Sequence, residues 1–255
     1  MNETEMTRER RAAGRGRRQG LSAFRLKTIG AVLMALQVAS TTIVPLLLGE
    51  PFADNMTALT TAVICEIASW AAVPIYAWLV YDGWRHTGDR MRYGARLAVV
   101  AIIAEPPYGR MMTGSWFGQH LANPMWGLVF AYIVLVCVDW ISRRYEGAAR
   151  WLMTVAVIAA GVLWNVMLQV GVRQQMMYTG VAVLAFVLVF ALLHGHENTM
   201  MFTAGLLGAV MCITPGVGVA FLHYRNGRLG YARPWTRWVF YALYPAMLLV
   251  GALLS

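Results

Sequence analysis

The sequence predicts an all-α protein, a polytopic bundle of transmembrane helices with about eight membrane segments (seven to nine). Three observations predict it. Of 255 residues, 59% are hydrophobic and only 13% charged, where a soluble domain carries about a quarter charged; the mean hydropathy is +0.55. The apolar residues come in blocks near the length of ~20 that a helix needs to cross the hydrocarbon core, and backbone in lipid must satisfy its own hydrogen bonds. Arginines, finally, gather in particular connections between the blocks, the asymmetry that sets membrane topology.

The chain divides into a basic tail, residues 1–27, and a transmembrane domain, residues 28–255. The net charge is +9, and eight of the 21 basic residues lie in the tail: Arg8, Arg10, Arg11, Arg15, Arg17, Arg18, Arg25 and Lys27. Such a tail before the first apolar block predicts a cytoplasmic N-terminus. It also suits anionic headgroups, so the lipid bilayer is the expected partner. Membrane retention accounts for the charge, and no nucleic acid is expected. The first apolar run is too long for the h-region of a cleaved signal peptide.

The blocks fall at about 28–49, 58–81, 94–106, 121–141, 151–172, 176–194, 199–222 and 235–254. The third is short and is expected to end at Pro106-Pro107. Arg85, Arg90 and Arg92 follow the second block, and Arg143, Arg144 and Arg150 follow the fourth; the connection around Glu50 and Asp54 has no Lys or Arg. One alternating topology fits these. Arg225, Arg228 and Arg233 break it, because eight full crossings put them on the wrong side. The seventh block, with Ile213-Thr214-Pro215-Gly216-Val217-Gly218, is the prime suspect for a re-entrant turn or a pair of half-helices.

Polar groups at membrane depth are costly and face a cavity or a partner. Glu66 is the deepest acid and Glu105 ends the third block. A buried carboxyl against apolar walls is a candidate general base, although Glu66 is equally open to a structural reading. Gln37, Asn165 and Gln169 are amides that interhelical hydrogen bonding explains. Asp82 and Asp139 stand near helix ends, within reach of headgroups. No metal site is expected: His194 and His196 form a lone His-x-His without matched ligands. Cys65, Cys137 and Cys212 lie inside apolar runs and read as small buried hydrophobes. Trp84, Trp140, Trp151, Trp235 and Trp238 sit at block ends, as interfacial aromatic belts do.

An ordered set of short motifs resembles the TraX family of membrane proteins, named for the acetylase of conjugative F-type pilin. It starts at Leu21-Ser22-Ala23-Phe24-Arg25-Leu26-Lys27. It is densest over Ala72-Val73-Pro74-Ile75-Tyr76-Ala77-Trp78 and Asp82-Gly83-Trp84-Arg85-His86-Thr87. It continues through Arg92-Tyr93, Arg96-Leu97, Ala104-Glu105-Pro106-Pro107-Tyr108, Asn123, Tyr178 with Gly180, Tyr224-Arg225-Asn226-Gly227-Arg228 and Phe240-Tyr241 with Tyr244-Pro245. The resemblance implies acetyl transfer from acetyl-CoA to an amine, such as a pilin N-terminus, with a protein or peptide as acceptor. Arg85, Arg92, Arg96, Arg225 and Arg228 are then candidates for binding cofactor phosphates, with topology signalling as their plainer role. Gln37, Asn123 and Tyr178 become candidates for a substrate cavity.

The departures matter as much. Where the family's first helix carries an Asp-His pair, this chain has Gln37-Val38. Trp70 stands where the family has an Arg, and Met247 where it has a His. Gln and Val cannot take a proton at neutral pH, so the machinery is either lost or rebuilt around Glu66 or Glu105. Two alternatives to an acyltransferase follow: a non-catalytic scaffold or accessory subunit, and a small transporter or permease subunit.

Overall fold

The computed structural model describes residues 20–116, 122–173, 177–230, 233 and 235–255. The tail arginines before Gly20 lie outside the described residues. The chain forms a helical membrane bundle. Four helical stretches, Ala23–Leu48, Met56–His86, Met125–Arg144 and Gly147–Met167, are long and apolar enough to cross a membrane.

We number the helices α1 (Ala23–Leu48), α2 (Met56–Ser69), α3 (Ala72–His86), α4 (Arg90–Thr113), α5 (Met125–Arg144), α6 (Gly147–Met167), α7 (Thr179–Leu192), α8 (Glu197–Cys212), α9 (Thr214–His223) and α10 (Thr236–Leu254). Two two-residue strands, β1 (Val172–Arg173) and β2 (Met177–Tyr178), pair antiparallel before α7. The first helix starts at Ala23, inside the predicted tail, because Ser22 caps it by accepting the Arg25 N–H.

Contacts sort the helix ends onto two faces. On one face the start of α1 is stapled to the turn after α9: Leu21 N–H donates to Tyr224 O, and Ala23 N–H to Arg228 O. Arg225 pairs with Glu197 at the start of α8, and Arg90 pairs with Asp139 near the end of α5. This face gathers the arginine-rich connections. On the opposite face Asn55 Nδ2 donates to Leu48 O, and Gly171 N–H to Ala122 O. The core lies between α3, α4, α5 and α7, around Ile75, Ala101, Ala131, Phe186 and Phe190.

The seventh block is a helical hairpin. Its two ends both reach the basic face, through the Glu197–Arg225 ion pair. The ten residues of α9 span about 15 Å, roughly half a bilayer core. The extra break in the block therefore explains the arginine pattern that eight simple crossings could not. Close approach of α8 and α9 needs small residues: a Cβ on Gly208 would lie 2.5 Å from Gly216 N.

The hairpin tip is strained. Ile213, with φ 60°, and Cys212, with φ 145°, lie in the left-handed region, which disfavours β-branched residues most. We expect Ile213→Gly to stabilise the protein by about 1 kcal/mol; unchanged or lower thermal stability in detergent would refute that reading. Cys212 at this tip is exposed, not buried as the sequence suggested, while Cys65 and Cys137 are partly buried.

A second correction concerns Pro106-Pro107. The helix does not end there but runs on to Thr113. Two adjacent prolines deprive only the carbonyls of Ile102 and Ile103 of their helical donors, and burial of Pro107, Tyr108 and Met111 among neighbouring helices holds the remaining turns.

Candidate functional site

Two helix irregularities face each other inside the bundle. In α1 the backbone widens into a π-turn over Ala39–Ile43, just before Pro45. The hydroxyls of the bulge return to the carbonyls it frees: Ser40 Oγ donates to Gln37 O at 2.7 Å, and Thr42 Oγ1 to Val38 O at 2.7 Å. Single π-turns recur at functional positions. Across from it, α2 and α3 are separated at Trp70–Ala71. Pro74 lacks the N–H that Trp70 O would accept and crowds that carbonyl. The chain tightens there, with Trp70 N–H donating to Ile67 O and Val73 N–H to Trp70 O.

Glu66 sits between the two irregularities and is 7% exposed. Trp70 Nε1–H donates to its Oε1 at 3.1 Å, and Ser40 Oγ lies 3.2 Å from its Oε2. A hydroxyl has one proton, so the Ser40 contact admits two states. With Glu66 ionised, Ser40 donates to Oε2. With Glu66 protonated, its O–H donates to Ser40 Oγ, and the Ser40 proton serves Gln37 O.

Beside it lies a cavity of about 50 Å³, lined by Gln37, Glu66, Ser69 and Trp70 among apolar neighbours that include Met34, Tyr76, Leu128 and Val183. One water needs ~10–15 Å³ on this measure. The space therefore holds about three or four heavy atoms, the size of a two-carbon acyl group. Pro124 and Thr179, at the opposite-face ends of α5 and α7, also line it. Glu66 is ten residues from Met56, about 15 Å from that face, and twenty from His86, about 30 Å from the basic face.

Of the sequence candidates, Gln37 and Glu66 share this cavity. Asn123 adjoins it through Pro124 and Met125; fully buried, its Oδ1 accepts from Tyr244 Oη at 2.7 Å and from Met125 N at 3.0 Å. Tyr178 does not line it: its side chain is 48% exposed beside the short strand pair, and the next residue, Thr179, takes the lining position. Glu105 is also elsewhere. Its carboxylate accepts from Trp126 Nε1–H at 2.9 Å and from the backbone N–H groups of Ala122 and Asn123. It anchors the start of α5 and is not joined to Glu66. Residue patterns did not single out Ser40 or Thr42; the Ser-Thr-Thr run ahead of Pro45, inside an apolar helix, was the signal available.

The five candidate arginines form two groups and a remainder. Arg92 and Arg96 flank a groove with Asp89, Ala95 and Trp238. Arg225 is 13% exposed, stacks on the Trp78 ring at 4.0 Å and pairs with Glu197 at 2.7 Å, close to where Arg85 meets His194. Arg228 is exposed, and its N–H donates to Asn226 Oδ1. Among the described residues no three His, Cys, Asp or Glu side chains converge as metal ligands would.

Arg85 Nη1 lies 3.3 Å from His194 Nδ1. Arginine has no acceptor, so Nδ1 accepts and Nε2 carries the proton. Desolvation, and then the Arg85 charge, hold the His194 pKa below the usual 6.5, with Glu197 opposing. A depressed pKa means the contact is complete above the unfolded value and is lost as pH falls through the folded one. We expect an NMR titration midpoint for His194 below 6.5 and a rise in it on Arg85→Ala; an unmoved midpoint would refute the pairing.

Fold and site together define a class: a helical membrane protein with a carboxyl group at membrane depth, seated between two broken helices beside a small cavity. Residues 26–255 match the family described as TraX protein, nearly the whole chain, and the protein belongs to the TraX family. No curated protein and no solved structure matches it.

Proposed function

We propose that the protein is an acetyltransferase of the bacterial cytoplasmic membrane, moving an acetyl group from acetyl-CoA to an amine such as a pilin N-terminus, with Glu66 as general base. The observation that carries this reading is Glu66 itself: a buried carboxyl that accepts from Ser40 and Trp70, next to a cavity the size of an acyl group. Gln37 and Val38 replace the family's Asp-His pair, but Gln37 and Glu66 line the same cavity, so a proton acceptor remains where one is needed. Trp70, in place of an Arg, offers Glu66 a neutral N–H.

In the reaction the amine nitrogen attacks the thioester carbonyl carbon. A C–N bond forms, the C–S bond breaks, and the amine proton passes to Glu66 and on to the departing thiolate. The positive-inside rule puts the basic face, and with it the N-terminus, in the cytoplasm, where acetyl-CoA is supplied. The bilayer surrounds seven crossings, with the α8–α9 hairpin entering and returning on the cytoplasmic side. The acceptor reaches the cavity from the opposite face, past Pro124 and Thr179.

The test is transfer of radiolabelled acetyl from acetyl-CoA to a peptide amine by protein in lipid nanodiscs, with calorimetry of acetyl-CoA binding alongside. Saturable binding and labelled peptide are expected. Absence of both would leave the scaffold and permease readings.

A further inference from the structure

The groove beside Arg92 and Arg96 has a chemistry of its own. It measures about 500 Å³, within the range of small-molecule sites, and opens on the basic face between the first turns of α4 and α10. Asp89 caps α4 by accepting the Arg92 N–H, and its other oxygen lies 2.9 Å from Arg92 Nε. Arg96 Nε–H donates to Arg92 O at 3.1 Å. Each guanidinium is thus held by its Nε edge. The Nη1 and Nη2 groups of both have no hydrogen-bond partner among the described residues. Two such forks one helical turn apart match the oxygens of a phosphate group.

The third element is Trp238, whose side chain is 51% exposed and lines the same groove. An exposed indole gives a flat surface on which a nucleobase stacks.

We propose that this groove binds a phosphorylated purine nucleotide, with its phosphates on Arg92 and Arg96 and its base on Trp238. Only the choice of probe, adenosine 3′,5′-bisphosphate, rests on the acetyl-CoA reading; the site stands on the groove's own residues. Asp89 is a positioning residue that aims the Arg92 fork.

The experiment measures binding of adenosine 3′,5′-bisphosphate to the full chain in nanodiscs of neutral phosphatidylcholine. Saturable binding is expected, weakened about tenfold or more by Arg92→Ala with Arg96→Ala and about tenfold by Trp238→Ala. Arg143→Ala, on the same face but outside the groove, should leave it unchanged. No saturable binding by the unaltered protein, or equal binding by all variants, overturns the proposal. A lipid headgroup could supply the phosphate instead. Anionic lipid retained through purification by the unaltered protein and lost from the double variant, without nucleotide binding, reassigns the arginines and overturns it too. Nucleotide binding without acetyl transfer would defeat the transferase reading and leave this site intact, whereas transfer without nucleotide binding would do the reverse.

Discussion

Glu66→Gln is expected to lower acetyl transfer by about 10²–10⁴-fold, the range that a positioned general base supplies. The substitution keeps size and shape. The amide oxygen can still accept from Trp70 Nε1–H, and the amide nitrogen can donate to Ser40 Oγ, so both neighbours seen in the fold stay satisfied. What disappears is the capacity to take a proton. Thermal unfolding in detergent should shift little, and acetyl-CoA binding should be retained, since Glu66 is far from the basic face. Glu105→Gln should behave in the opposite way. Glu105 receives two backbone N–H groups and the Trp126 indole at the start of α5; a Gln offers one acceptor oxygen where the carboxyl offers two, so a donor is left unpaired at a cost of about 1–3 kcal/mol of stability. A loss of transfer on Glu105→Gln with stability unchanged, and full activity in Glu66→Gln, would invert the assignment of the two acids.

Gly218→Val should be the most damaging substitution in the hairpin. A Cβ at Gly218 would fall inside contact distance of Ala71 O and 2.6 Å from Pro74 Cγ. Neither can swing aside, because one is backbone and the other a ring fixed in the first turn of α3. The hairpin would have to move away from the Trp70–Ala71 break, and overpacking of this kind costs about 1–3 kcal/mol. The break carries Trp70, the donor to Glu66, so activity should fall along with stability. Gly205→Ala provides the control: a Cβ there meets nothing within 4 Å, and gaining a helix former should be neutral or slightly stabilising. If Gly218→Val unfolds at the same temperature as the unaltered protein, the hairpin is not packed on the break as described.

Much of this architecture could be read from residue patterns, and the reasons are specific. Helices in lipid must satisfy their own backbone, so an apolar block such as 151–172 translates into α6, Gly147–Met167, with each end four or five residues earlier than expected. The arginines after α9 conflicted with simple alternation, and Pro215 with its flanking glycines marked the hairpin that resolves the conflict. Pro106-Pro107 misled, since a helix held on both sides by packing tolerates two lost donors. The site was legible in part. Glu66 and Gln37 stood out as polar residues in apolar surroundings. Their meeting depends on the π-turn before Pro45 and the break before Pro74, which are tertiary consequences of two prolines in different helices. Glu105 stood beside Glu66 as a candidate acid; its partners, the backbone of residues 122 and 123 and the Trp126 indole, lie 17 to 21 positions away, beyond the reach of residue patterns. The arginines could be read in two ways, as topology signals or as candidate phosphate ligands, and only geometry separates Arg92 and Arg96, which are held by their Nε edges with Arg96 also over the Tyr93 ring, from Arg225, which is committed to Trp78 and Glu197.

On the proposed mechanism, an acyl donor arriving at the basic face and an amine arriving at the opposite face meet at the Glu66 cavity. The most direct test is sided transfer in proteoliposomes of known protein orientation, with acetyl-CoA and a membrane-impermeant peptide amine placed on chosen sides. Acetylated peptide is expected when acetyl-CoA faces the arginine-rich side and the peptide the other, and none when both face the arginine-rich side. Acetylation with both on the arginine-rich side, undiminished by Glu66→Gln, would contradict it.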